Sequence, residues 1–331
     1  MTSVFPASYS TLSGEALAVL VKERYGLHAT TATLLVRGVG DTYLVVAAEA
    51  KFILRIYRST HRSFEQVNEE VQVLLALNQA AVSVSYPVAD IDGNTIQRIN
   101  AIEGERCAVL FTFADGEPLK LFNEQQMLNL GLEMARFHNV SAQLATADTR
   151  WYFDISTTLE APFKMISPAL KKDPENYEWL TKTIAQVKSK LQETNTVNFP
   201  VGYCHYDFLP KNFHFKDDAV TFFDFDFMGR GWLVNDIMTF WQHLALDVYT
   251  GRMKQEAADE AYSNFLKGYR ELRTITDEEL NLVPYLSIGF WLFYMGFHTT
   301  HDQFYAFAQP SHVRVYVGVM KHIVNNYWKQ I

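Results

Sequence analysis

Residues 203–228 constrain the chain more than any other stretch. They read Tyr-Cys-His-Tyr-Asp-Phe-Leu-Pro-Lys-Asn-Phe-His-Phe, then Lys-Asp-Asp-Ala-Val-Thr-Phe-Phe-Asp-Phe-Asp-Phe-Met. His205, Asp207, Asn212, Asp224 and Asp226 are polar residues set among aromatics. Two apolar runs, 212–215 and 220–223, read as strands joined by a turn at 216–219. Asp207 then falls in the loop before the first strand, and Asp224 just past the second. A hairpin that gathers an Asp, an Asn and one or two further Asp residues at one end can hold a divalent cation beside a general base. Oxygen ligands of this kind suit Mg²⁺, which keeps several waters and is usually shared with substrate phosphates.

The rest of the chain divides near 114–118, Ala-Asp-Gly-Glu-Pro. Before it, strands are expected at 33–48 (broken by Gly38 and Gly40), 52–57, 84–91, 95–99 and 107–113. Helices are expected at 13–25, with Gly26 as its stop, and at 63–78, where Val67, Val71, Leu74 and Leu77 recur every three or four residues. After it, helices dominate: 124–138, 177–193, 232–249, 255–272, 277–297 and 313–328. The expected fold is α+β, a small sheet-plus-helix lobe over 1–113, a linker at 114–118, and a larger helical lobe over 119–331.

The net charge of −8, with no visible basic cluster, argues against nucleic acid as a main partner. Cys107 and Cys204 are the only cysteines, so no disulfide framework is expected. The most apolar stretch, 283–297, contains Pro284 and two glycines and is short for a bilayer span. The first twenty residues lack a basic start followed by an apolar core. No membrane association is expected, and the cytoplasm is the expected location.

The Asp207-to-Asn212 spacing points to phosphoryl transfer. That reaction asks the protein for positioning, charge neutralisation by Mg²⁺, and a carboxylate to accept the hydroxyl proton. Asp207 is the candidate base, Asn212 a neutral metal ligand and Asp224 an anionic one. His205-Tyr206-Asp207 through Asn212, followed by Phe223-Asp224-Phe225-Asp226, resembles the His-x-Asp-x-x-x-x-Asn and Ile-Asp-Phe-Asp/Glu signatures of the aminoglycoside phosphotransferase family. That family includes choline kinases and type II homoserine kinases and is similar in fold to protein kinases. Weaker agreement spreads over about residues 30 to 245: Gly38-Val39-Gly40-Asp41-Thr42, the strand carrying Arg55, the helix carrying Glu70, and Leu110 to Phe113 with Gly116.

The resemblance implies a two-lobed protein-kinase-like fold with a nucleotide-binding first lobe. It implies ATP and Mg²⁺ as cofactors and Asp207 as catalytic base. Asn212 and Asp224 bind the metal, with Asp226 assisting. Arg55 sits on the nucleotide phosphates with Glu70 holding it. Gly38, Gly40 and Thr42 form the phosphate-covering turn, and Phe111 and Phe113 border the adenine. The chain departs from the family pattern in having Arg at 55 where Lys is more usual, and Asp41 beside the turn. For the acceptor, Asp247, Trp291 and Tyr294 are candidates, since carboxylates and aromatics suit an amine or amino alcohol. Homoserine-kinase and stress-response-kinase texture is closest around 291–301. The expected partners are ATP and a small-molecule hydroxyl acceptor, with the chain a monomer or homodimer. A Ser/Thr protein kinase is the first rival reading. It is disfavoured because only eleven residues separate Asp224 from Asp236, too few for a long activation segment. A non-catalytic nucleotide-binding protein is the second.

Overall fold

A computed structural model describes residues 5–28, 30–48, 50–119, 121–145 and 147–328. The chain forms two compact units, Met1–Asp115 with Thr221–Phe223, and Gly116–Val220 with Asp224–Ile331.

The first unit begins with α1 (Gly14–Tyr25), whose ends are set chemically. The Ser13 hydroxyl accepts from the Ala16 amide, and Gly26 turns left-handed at φ 66° to stop it. Five strands follow: β1 (Thr30–Arg37), β2 (Asp41–Ala47), β3 (Ala50–Ile56), β4 (Ile96–Ala101) and β5 (Gly104–Thr112). They form one antiparallel sheet in the order β1-β2-β3-β5-β4. In β2 every second residue is fully buried, the period-2 signature of a strand with one face on a core. Tyr43, Val45, Leu54, Ile56, Ala108 and Leu110 form that core with Leu17 and Val21 of α1. α2 (Phe64–Gln79) opens on a reciprocal capping box between Ser63 and Gln66. The segment expected as a strand at 84–91 makes only isolated bridges, Val84 to Phe222 and Pro87 to Phe111.

The second unit is mainly helical: α3 (Glu124–Ser141), α4 (Ala161–Leu170), α5 (Pro174–Glu193), α6 (Val234–Tyr249), α7 (Gln255–Arg270), α8 (Asp277–Phe297) and α9 (Pro310–Tyr327). Short strands of the later chain are β6 (Trp151–Tyr152), β7 (Val201–Cys204), β8 (Phe213–Lys216), β9 (Ala219–Phe222, whose last two residues belong to the first unit) and β10 (Gly229–Trp232). β8 pairs with β9, while β10 lies between β6 and β7. Trp232, expected in a helix, is instead the last residue of β10, paired with Val201, so α6 starts two residues later. A π-turn at Ser156–Glu160 leads into α4, a region without a clear periodic signal in the sequence. α3 and α7 pack so closely that a Cβ at Gly131 would lie 1.9 Å from the Phe265 carbonyl oxygen, and one at Gly268 as close to that of Leu128. α8, at 21 residues, is longer than its most apolar stretch and passes the length and composition test for a membrane span. In this fold 67% of that window is buried inside the protein.

Candidate active site

The loop bearing Asp207 leaves β7 at Cys204. Its backbone is held from beneath by Asp236, in the first turn of α6. One Asp236 carboxylate oxygen accepts from the His205 amide (2.8 Å), the other from the Tyr206 amide (2.7 Å). His138 of α3 lies 3.1 Å from the same carboxylate through Nε2, and its Nδ1 is 2.9 Å from the Tyr269 hydroxyl. His138, His205 and Asp236 are completely buried. Burial lowers the His138 pKa against the raising influence of Asp236, so the imidazole is neutral. Both Asp236 oxygens act as acceptors, so Nε2 carries the proton and Nδ1 accepts from Tyr269. Tyr206 takes a positive φ of 59°, unusual for an aromatic residue, and its ring stacks face to face on Phe153 at 3.6 Å.

Asp207 is 2% exposed. The Asn212 side-chain amide donates to its backbone oxygen and to Oδ2, both at 2.7 Å. Lys211 Nζ lies 2.8 Å from the same Oδ2. Oδ1 is buried with no hydrogen-bond partner among the described residues. One carboxylate oxygen is therefore fixed and the second remains to take a proton. With its nitrogen turned to Asp207, Asn212 has its amide oxygen left for a ligand. The sequence reading gave Lys211 no role, although its i,i+4 spacing from Asp207 was visible.

Asp224 follows β9 at φ 62°, a left-handed conformation that Asp tolerates. The next turn buries Asp226 to 1% exposure, with Arg150 Nη1 at 3.9 Å and Arg150 Nη2 donating to the Phe225 carbonyl at 3.1 Å. Arg150 was not foreseen, and no local pattern links residues so far apart in the chain. Among the described residues no three His, Cys, Asp or Glu side chains cluster as a ready-made metal site. The expected set is two carboxylates and an amide, which fits a cation whose remaining ligands are waters and phosphates.

Of the acceptor candidates, Tyr294 on α8 lies near the base. Burial first, then the negative charge of Asp207, pushes its phenol pKa far up, with Asp224 adding to this. The hydroxyl stays protonated beside Asp207. Trp291, one turn earlier, is 8% exposed, has its ring 5.5 Å from that of Tyr316, and has no hydrogen-bond partner for Nε1 among the described residues. Asp247 is engaged elsewhere, by Arg252 at 2.8 Å and His243 at 3.4 Å near the end of α6.

His298, just past the end of α8, has its pKa lowered to about 4 by burial, with the neighbouring His312 and Lys211 adding to the effect. An unfolded histidine titrates near 6.5. As pH falls from 6.5 toward 4 the unfolded chain takes up a proton that the folded chain refuses. Stability contributed by this group is therefore complete above 6.5 and lost through that window, by about 3 kcal/mol at most. His298→Asn should flatten the acid side of a melting-temperature profile between these values; an unchanged acid slope would contradict the assignment.

In the first unit, Gly38 and Gly40 close a tight turn, the Gly38 amide donating to the Gly40 carbonyl at 3.0 Å. A Cβ at Gly40 would lie 2.8 Å from the Ile56 carbonyl oxygen, so no side chain fits. Asp41, next in sequence, is fully buried with Arg106 Nη1 at 3.7 Å, so its charge is directed into the unit. Thr42 pairs in register with Arg55. The Arg55 guanidinium lies 5.6 Å from the Tyr57 ring centre, and the Tyr57 hydroxyl donates to Glu70 at 3.0 Å. Tyr57 thus links the predicted phosphate-binding residue to the predicted partner Glu, which is 1% exposed. Phe111 is buried in β5, and Phe113 lies just beyond it with Lys51 Nζ at 5.5 Å.

Residues 31–275 match the phosphotransferase enzyme family. Among curated relatives, amicoumacin kinase of Bacillus subtilis is 24% identical, covering 84% of this chain and 83% of its own. Homoserine kinase of Polaromonas naphthalenivorans is 24% identical, covering 80% and 82%. The solved structure of a microcompartment-associated aminopropanol kinase superposes with a TM-score of 0.75 over 96% of this chain and 99% of that one, at 20% identity. The α+β fold is shared with that structure. The chain belongs to the phosphotransferase enzyme family and is an enzyme that transfers a phosphoryl group to a hydroxyl acceptor.

Proposed function

We propose that the chain phosphorylates the hydroxyl of a small molecule, an amino alcohol, an amino acid such as homoserine, or a sugar-like acceptor, using ATP and Mg²⁺. The observation that carries this reading is Asp207: one carboxylate oxygen is anchored by Asn212 and Lys211, and the other is buried with no hydrogen-bond partner among the described residues. An acceptor hydroxyl placed at Oδ1 gives up its proton there as its oxygen attacks the γ-phosphorus, and the bond from that phosphorus to the bridging β-phosphate oxygen breaks to release ADP. The Lys211 ammonium offsets negative charge beside the base. Asn212 and Asp224, with Asp226 behind them, would hold Mg²⁺, which supplies neutralisation of phosphate charge when bound. Arg55, supported through Tyr57 and Glu70, takes the nucleotide phosphates. Gly38, Gly40 and Thr42 cover them, and Phe111 and Phe113 border the adenine. In this reading 1–113 is the nucleotide lobe, 114–118 the linker and 119–331 the acceptor lobe. Tyr294 and Trp291 contribute to acceptor binding.

A protein acceptor is the weaker reading. The stretch from Asp224 to Asp236 is taken up by a short 3₁₀ turn and β10, which leaves no long segment to present a peptide. Titration of a non-hydrolysable ATP analogue with and without Mg²⁺ tests the metal assignment. Asp224→Ala should weaken Mg²⁺-dependent binding at least tenfold and leave metal-free binding alone, whereas unchanged binding would remove Asp224 from the site.

A further inference from the structure

We infer that the helical unit carries a second ligand site, behind the loop of Asp207, for a small amine with an aromatic or apolar body. A cavity of about 540 Å³ lies within this unit, a size typical of small-molecule sites. Phe153, Leu159, Leu191, Tyr206, Trp232 and Tyr285 form much of its wall. None of Asp207, Asn212, Asp224, Trp291 or Tyr294 lines it, so it is distinct from the proposed acceptor position.

The charged residues of its lining are acidic, with Lys190 Nζ 5.7 Å from the Tyr285 ring centre. Asp154 and Glu160 line it, and among the described residues no lysine, arginine or histidine does. Glu160 is paired outward with Lys188. Asp154 Oδ1 accepts a single backbone hydrogen bond, from Thr157 at 2.8 Å. A carboxylate with Phe153 and Trp232 in the same wall suits an ammonium on an apolar body, through charge and aromatic contact together. Asn235, 3% exposed, adds an amide nitrogen with no hydrogen-bond partner among the described residues. A neutral oxygen on the ligand would satisfy it. The wall also includes the π-turn Ser156–Glu160, an uncommon element that concentrates at functional sites. An occupant would touch the stacked Phe153–Tyr206 pair, and Tyr206 is the residue before the proposed base.

The test uses the full chain and three probes of one shape: 2-phenylethylamine, 2-phenylethanol and 3-phenylpropionate, titrated by calorimetry and ligand-observed NMR. The amine should bind at least tenfold more tightly than the alcohol or the acid. Asp154→Asn should weaken the amine about tenfold, and Leu286→Trp, which fills the cavity, should abolish its binding. Both variants should keep the parent affinity for a non-hydrolysable ATP analogue, which reads the nucleotide site separately. Asp154→Asn retains an oxygen for the Thr157 amide, so it carries the test if Leu286→Trp fails to fold. The proposal is overturned if the amine binds no better than its counterparts. It is equally overturned if amine binding ignores both cavity variants and is lost in Trp291→Ala, which would locate the amine at the acceptor position.

Discussion

Asp207→Asn should lower kcat for phosphoryl transfer by about 10²–10⁴-fold, the range attributable to a positioned general base. The substitution is nearly isosteric; it removes the capacity to take a proton and the charge that faces Lys211. Asn212 can still donate to the backbone oxygen at position 207, a contact of 2.7 Å, so the loop keeps a principal tie. The KM for ATP should therefore change little. This split identifies a group acting on the reacting atoms, because a loss through misfolding would raise KM and lower the melting temperature together. Steady-state kinetics beside a melting curve checks it. A variant within tenfold of the parent would remove Asp207 from the chemistry.

The largest stability effect should come from Asp236→Ala. Its carboxylate satisfies two buried backbone amides and the Nε2–H of His138, in a region without solvent. Removing it strands all three donors. At about 1–3 kcal/mol for each unsatisfied buried group, relieved in part by relaxation, the expected loss is about 3–5 kcal/mol. Asp236→Asn keeps one acceptor oxygen and should lose less. Asp236 acts as a positioning residue, so kcat should fall as well, with Asp236→Asn recovering part of it. Urea denaturation of parent and variants measures the stability term, and a loss below 1 kcal/mol for the alanine variant would contradict the bracing role.

Much of this was legible because it is local. The cap of α1 at Ser13 and Gly26 and the periodic face of α2 are encoded within a few residues of where they act. So is the grouping of Asp207 with Asn212, whose spacing of five residues places one amide on both the backbone and the carboxylate of the other. What could not be read depends on contacts remote in sequence. Arg150 meets Asp226, and Arg106 meets Asp41, only because the fold brings them there. Trp232 has the composition of a helix start, yet β10 claims it because β7 supplies ladder partners as far as Val201. The 150–170 segment lacks a single period, since a two-residue strand, a π-turn and a helix containing Pro168 follow one another within it. Asp247 had suitable chemistry for an amine, but its charge is already met by Arg252, a pairing across a turn that composition alone does not reveal.

The proposed phosphoryl acceptor is a small molecule. Incubating the pure protein with Mg²⁺ and γ-labelled ATP, against a panel of amino alcohols, hydroxy amino acids and sugars and in parallel against mixed protein, tests it directly. The expected result is an acid-soluble, labelled phosphate ester of one panel class that disappears in Asp207→Asn. Label found only in acid-precipitated protein would contradict it.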